Sequence, residues 1–134
     1  MKYFLVFLFF VSPLKDSFFD NSFQTVENTT YSFRNLTSLK AIVVVFLLTD
    51  CPASQNYSLT LNKLNEKYKK ERVQLIGVFP GTYSTENEMR QFKKTYHINF
   101  PLLKDPQLKL ASSLGATIAP EAFLIGNDGL TKYS

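Results

Sequence analysis

Three observations predict an α/β sheet with helices on both faces. Two β-branched runs, Ala41-Ile-Val-Val-Val-Phe-Leu-Leu48 and Val73-Gln-Leu-Ile-Gly-Val-Phe79, are short and apolar nearly throughout, as strands buried on both sides should be. A segment of helical spacing follows each of them. A third apolar run, Ala122-Phe-Leu-Ile125, leads into Gly126-Asn-Asp-Gly129, a hairpin signal, and then into Leu130-Thr-Lys-Tyr133. The resulting order, β-α-β-α-β-β, is that of a layered α/β domain.

Composition sets the outer limits. The 134 residues are 45% hydrophobic and 19% charged, which excludes a disordered tail, a collagen-like rod and a coiled coil. One cysteine and one histidine exclude an internal disulfide and a structural zinc site. The excess of 15 basic over 11 acidic residues gives +4, too small to point to a nucleic-acid partner. The chain has no phosphate-cradling glycine loop, hydrolase elbow or zinc-binding helix motif, so no cofactor or metal is expected.

At the amino terminus, Lys2 precedes an apolar run from Tyr3 to Val11, closed by Ser12-Pro13. The run is too short for a bilayer span, which takes about 20 residues. It fits the apolar centre of an export signal. Residues 1–11 are therefore expected to be a signal or anchor segment and the one point of membrane contact, with an exported protein (periplasmic or secreted) as the consequence; the alternative is a buried strand of the domain in a cytoplasmic protein. Residues 12–30 are polar, with Phe18, Phe19 and Phe23 scattered through them, and are expected as a lead-in or linker. The domain is expected over 31–134.

Within the domain, Tyr31-Ser-Phe33 alternates as a short edge strand. From Pro52 to Arg72, Tyr57, Leu61, Leu64 and Tyr68 recur at helical spacing and are expected to face the core, with Lys63, Lys67, Lys69 and Lys70 as a solvated face. Thr85 followed by Glu88 forms a capping box for a helix to about Tyr96, with Met89, Phe92 and Tyr96 on one face. His97, the lone histidine, ends that helix, a place where cations are favoured. Pro101 and Pro106 bracket Leu102-Leu-Lys-Asp105. A short helix is expected from Pro106, capped by Gly115.

The chemistry centres on Cys51-Pro-Ala-Ser54. Cys51 directly follows a central strand and directly precedes a helix, and ligands collect at such carboxyl ends of parallel strands. Free amides and the positive end of the helix dipole favour a thiolate there. Pro52 suits the first helical turn, where no donor is needed. Asp50 opposes thiolate formation by its charge. On residue type alone, an inert buried cysteine is the competing reading.

These residues, with Val43-Val-Val-Phe46, Phe100-Pro-Leu-Leu103, Asp105, Leu114-Gly-Ala116, Ala119-Pro-Glu-Ala-Phe-Leu-Ile125 and Asp128-Gly129, resemble the redoxin family. This group contains the alkyl hydroperoxide reductase/thiol-specific antioxidant proteins and exported thioredoxin-like reductases. The resemblance spans about residues 31–134. It implies a thioredoxin-like fold with a mixed central sheet flanked by helices. It also implies that Cys51 is the redox nucleophile and that Pro120 is a cis proline facing it. Thr49, Pro52 and Ser54 are the supporting residues. Three departures stand out. Ser54 replaces the second cysteine of the reductases, so an external thiol must resolve any mixed disulfide. Leu48 and Val44 occupy the threonine and proline positions of the peroxide-reducing branch, and Thr49 lies one position off. The family's last strand continues into a covering helix, whereas this chain ends at Ser134, so that helix is expected to be missing and an apolar sheet face to be exposed.

The expected function is thiol–disulfide exchange or a peroxide-linked antioxidant activity, with an external thiol or protein disulfide as partner. The alternative is a non-catalytic module that binds extended peptides or forms lasting mixed disulfides.

Overall fold

The computed structural model describes residues 17–134; the signal or anchor segment expected over 1–11 lies outside them. Among the described residues, seven strands and three α-helices follow one another as β1 (Ser22–Thr25), β2 (Thr30–Ser32), β3 (Ala41–Phe46), α1 (Pro52–Lys69), β4 (Val73–Pro80), α2 (Glu86–Thr95), β5 (Leu102–Asp105), α3 (Lys109–Leu114), β6 (Glu121–Gly126) and β7 (Thr131–Tyr133). They form one sheet of order β2-β1-β5-β4-β3-β6-β7. β3 pairs in parallel with β4, and β4 with β5, while β6, β7, β1 and β2 pair antiparallel. The sheet is therefore mixed, with helices on both faces.

The two-residue period of the strands divides the core. Ile42, Val44 and Phe46 of β3 join Ile76, Val78, Phe123 and Ile125 on one face, closed by α3 and by 3-10 turns at Phe18–Asp20 and Phe33–Leu36. Val45, Leu47, Leu75 and Phe79 face the other way, against Met89 and Phe92 of α2. Gly77 lies where strands and side chains crowd: a Cβ there would stand 2.5 Å from Leu102 Cδ2.

Four expectations need correction. Residues 17–30 are not a linker: β1 pairs with β5, and Phe18, Phe19 and Phe23 pack on the core with Phe33. The scattered aromatics are what tie this segment down, since each removes a large apolar surface from water. The edge strand expected at Tyr31-Ser-Phe33 spans Thr30–Ser32, because Phe33 is buried in the core and opens a 3-10 helix; Leu102–Asp105, between its two prolines, adds a sheet strand. The helix expected from Pro106 starts at Lys109, because Asp105 builds a turn first: its carbonyl accepts from Leu108 N–H, and its buried carboxylate accepts from Ala111 N–H at 2.9 Å. Gly115 caps it in the left-handed conformation, as expected.

The fourth correction concerns α1, which ends at Lys69. Its buried residues are Ser54, Ser58 and Asn65, while Tyr57 and Leu64 are exposed. Small and polar groups let the helix approach β4 closely. Ser58 donates to the Ser54 carbonyl, and Asn65 Nδ2 donates to Asn99, although Asn65 Oδ1 is buried without a partner. The apolar stripe is thus turned off the core, with only Leu61 packed against it. On the same side of the sheet Ala122 is exposed and Val43 and Leu124 are half-buried, so part of the apolar surface there is open to solvent.

Candidate functional site

The site forms where the central strand hands over to α1. β3 ends at Phe46, Leu47 N–H still reaches Val78 O at 2.9 Å, and four residues later Cys51 occupies the N-cap of α1. Pro52 opens the helix, where a missing donor costs nothing. The junction is held from within: Ser54 is fully buried and its Oγ accepts from Leu48 N–H at 3.2 Å. Gln55 Nε2 donates to the Thr49 carbonyl at 2.8 Å. The Thr49 hydroxyl lies 2.8 Å from Ser84 Oγ and so ties the junction to the loop after β4.

Cys51 is a half-buried free thiol at the positive end of an 18-residue helix. No side-chain cap bond closes to Sγ, yet the first turn bears on it. The Ser54 N–H above all, then the Ser54 hydroxyl and the Ala53 N–H, hold the thiol below its ordinary range, against partial burial and the charge of Asp50. A thiolate is thereby more abundant at neutral pH than for a free cysteine.

The second wall comes from far along the chain. The Ala119–Pro120 peptide is cis, and Cys51 Sγ donates to the Ala119 carbonyl at 3.7 Å. An apolar cleft of about 300 Å³ opens beside this contact, with Leu48, Tyr83, Ile118 and Ala119 among its walls. Tyr83 and Ile118 are 73% and 68% exposed, so apolar surface is offered to solvent next to the sulfur. Thr49, Asp50, Gln55 and Glu88 are among the residues that line a smaller cleft.

The structure thus brings Cys51, Pro52, Ser54 and the Pro120 segment together. Thr49 is adjacent, but its hydroxyl is engaged with Ser84. His97 is exposed at the end of α2 with φ 51° and plays no part. Sequence reasoning missed Ser84 and the Ala119 carbonyl. No residue-type signal marks Ser84, and a backbone acceptor carries none. Among the described residues, no group of three or more His, Cys, Asp or Glu side chains could hold a metal, and no helix is long and apolar enough to cross a membrane.

Known proteins resemble this chain in sequence and in fold. The thiol-disulfide oxidoreductase ResA of Bacillus cereus is 29% identical over 90 residues, covering 67% of this chain and 51% of its own length. ResA of Bacillus anthracis is 28% identical over the same shares. The chain spans about half the length of these curated relatives. Among solved structures, a secreted Mycobacterium tuberculosis disulfide oxidoreductase homologous to E. coli DsbE superposes with a TM-score of 0.74 at 17% identity, over 86% of this chain and 82% of that one. A putative thioredoxin from Neisseria meningitidis gives 0.74 at 20% identity, over 90% and 81%. The fold is thioredoxin-like. Residues 14–134 match the AhpC/TSA family, and the chain belongs to it.

Proposed function

We propose that this domain is a thiol-based oxidoreductase that works by thiol–disulfide exchange with Cys51 as its one nucleophile. The observation that carries the reading is the placement of Sγ, half-buried at the start of α1 with its proton affinity lowered, 3.7 Å from the loop of the cis proline. Relatives named as thiol-disulfide oxidoreductases support it. The Cys51 thiolate attacks one sulfur of a substrate disulfide. A Cys51–substrate S–S bond forms as the substrate's own S–S bond breaks, and the second substrate sulfur leaves as a thiolate that takes up a proton. Ser54 cannot resolve the mixed disulfide. An external thiol attacks the substrate sulfur, forms a new disulfide with it and releases Cys51. Leu48 and Val44, at the threonine and proline positions of the peroxide-reducing branch, favour exchange over peroxide reduction.

The substrate class is an extended protein disulfide lying along the Ala119–Pro120 segment. The apolar run behind Lys2 supports export, to be tested by fusing residues 1–16 to a reporter active only outside the cytoplasm.

The functional test is capture of a disulfide-bonded peptide. Mass spectrometry should show the protein plus one peptide thiol, released on adding an external thiol, and Cys51→Ala should show none. Failure of the native protein to form that adduct at neutral pH would overturn the reading. Ser54 in the second-cysteine position favours one competitor, a peptide-binding module. Peptide affinity that survives Cys51→Ala, without any adduct in the native protein, would establish it instead.

A further inference from the structure

Glu121 is the first residue of β6, paired in register with Phe46, and it immediately follows the cis peptide. A charged residue there opens a strand whose later positions carry Phe123 and Ile125 in the core. Among the described residues its carboxylate pairs with no cation. Oε2 accepts from two backbone N–H groups, Thr117 at 2.8 Å and Ile118 at 3.2 Å. These amides precede Ala119 by two residues and one. The segment's amino end is held by one bond, Ala116 N–H to Ala111 O at 2.9 Å. Between that bond and β6, the Glu121 carboxylate bridges the turn, and hydrogen bonds to a charged acceptor are about twice as strong as neutral ones. Thr117, Ile118 and Ala119 form one wall of the apolar cleft, and the Ala119 carbonyl faces Sγ.

We propose that Glu121 is a positioning residue for Cys51: by holding the Thr117 and Ile118 amides, it fixes the Ala119 carbonyl against Sγ. The proposal rests on Cys51 being the reactive thiol, as read above. Only the protonated thiol can donate to that carbonyl, and the negative end of its dipole disfavours the thiolate. The segment therefore restrains thiolate formation as long as Glu121 keeps it in place.

The test is the pH dependence of Cys51 alkylation by iodoacetamide in the full chain, compared among native protein, Glu121→Ala and Glu121→Gln. Glu121→Ala removes the acceptor and should move the midpoint down by about half a pH unit, the size of one weak hydrogen bond. Glu121→Gln keeps an oxygen at the same reach and should titrate as the native protein does. If Glu121→Ala does not fold, Glu121→Asp, shorter by one methylene, replaces it with the same expected shift. An unchanged midpoint in the Ala variant overturns the proposal. So does a rise toward the free-thiol value, which general loosening of the helix start would produce, and so does an equal shift in Glu121→Gln. Alkylation needs no disulfide substrate, so this result stands apart from the capture experiment, whose failure alone would overturn the functional reading.

Discussion

The two walls around Cys51 act on its sulfur in opposite senses. The near wall, Leu48 to Gln55, is built by consecutive residues and aims amide and hydroxyl donors of the α1 start at Sγ. The far wall, Thr117 to Glu121, arrives 68 positions later and offers an acceptor, the Ala119 carbonyl. Donors favour the thiolate and an acceptor favours the thiol. The reactivity of the one cysteine is therefore a balance between a local element and a long-range contact, and each can be altered without the other.

The largest effect should come from adding what the near wall lacks. Ser54→Cys places a second thiol one helical turn from Cys51. The variant is expected to close an internal disulfide on oxidation and to release a captured peptide without external thiol. Peptide release followed by mass spectrometry checks this, and a persistent adduct would show that the two positions do not meet. Next, Ser54→Ala removes the hydroxyl that accepts from Leu48 N–H and acts on Sγ. The Leu48 amide then loses its partner, at a cost of about 1–2 kcal/mol in urea unfolding. The alkylation midpoint of Cys51 should rise, because a donor to the thiolate is gone.

Thr49→Val breaks the bond to Ser84 and should cost about 1 kcal/mol while leaving the Cys51 midpoint in place, since that hydroxyl does not face the sulfur. Equal shifts for Ser54→Ala and Thr49→Val would dissolve the distinction between a group that acts on Sγ and one that only braces the junction. The smallest effect is expected from Asp50→Asn. The Asp50 charge raises the Cys51 pKa, so its removal should lower the midpoint by a few tenths of a unit, and added salt should diminish the difference.

The near wall was legible in the sequence because its signals are local. A β-branched run, a cysteine and a proline at the first helical position specify strand, N-cap and helix in one stretch. The Thr85–Glu88 capping box and the Gly115 cap were legible for the same reason. The cis proline and its approach to Cys51 came from family resemblance and not from spacing. The pairing of Thr49 with Ser84 and the hold of Glu121 on Thr117 depend on how the chain returns, and no periodicity encodes that. Helix α1 misled most. Its apolar period is genuine, yet Ser54, Ser58 and Asn65 form the stripe that meets the sheet, since close approach to β4 selected size over hydrophobicity. The amino-terminal strand escaped notice because four residues with two buried positions, Phe23 and Thr25, make too brief an alternation.

The rate at which Cys51 exchanges with a neutral aromatic disulfide across pH 5 to 10 reads the reactivity of its thiolate. The expectation is a stoichiometric mixed disulfide whose rate follows a single ionisation, with a midpoint below the free-thiol value of about 8.5. A midpoint at or above that value, or a thiol that does not exchange at all, would contradict it.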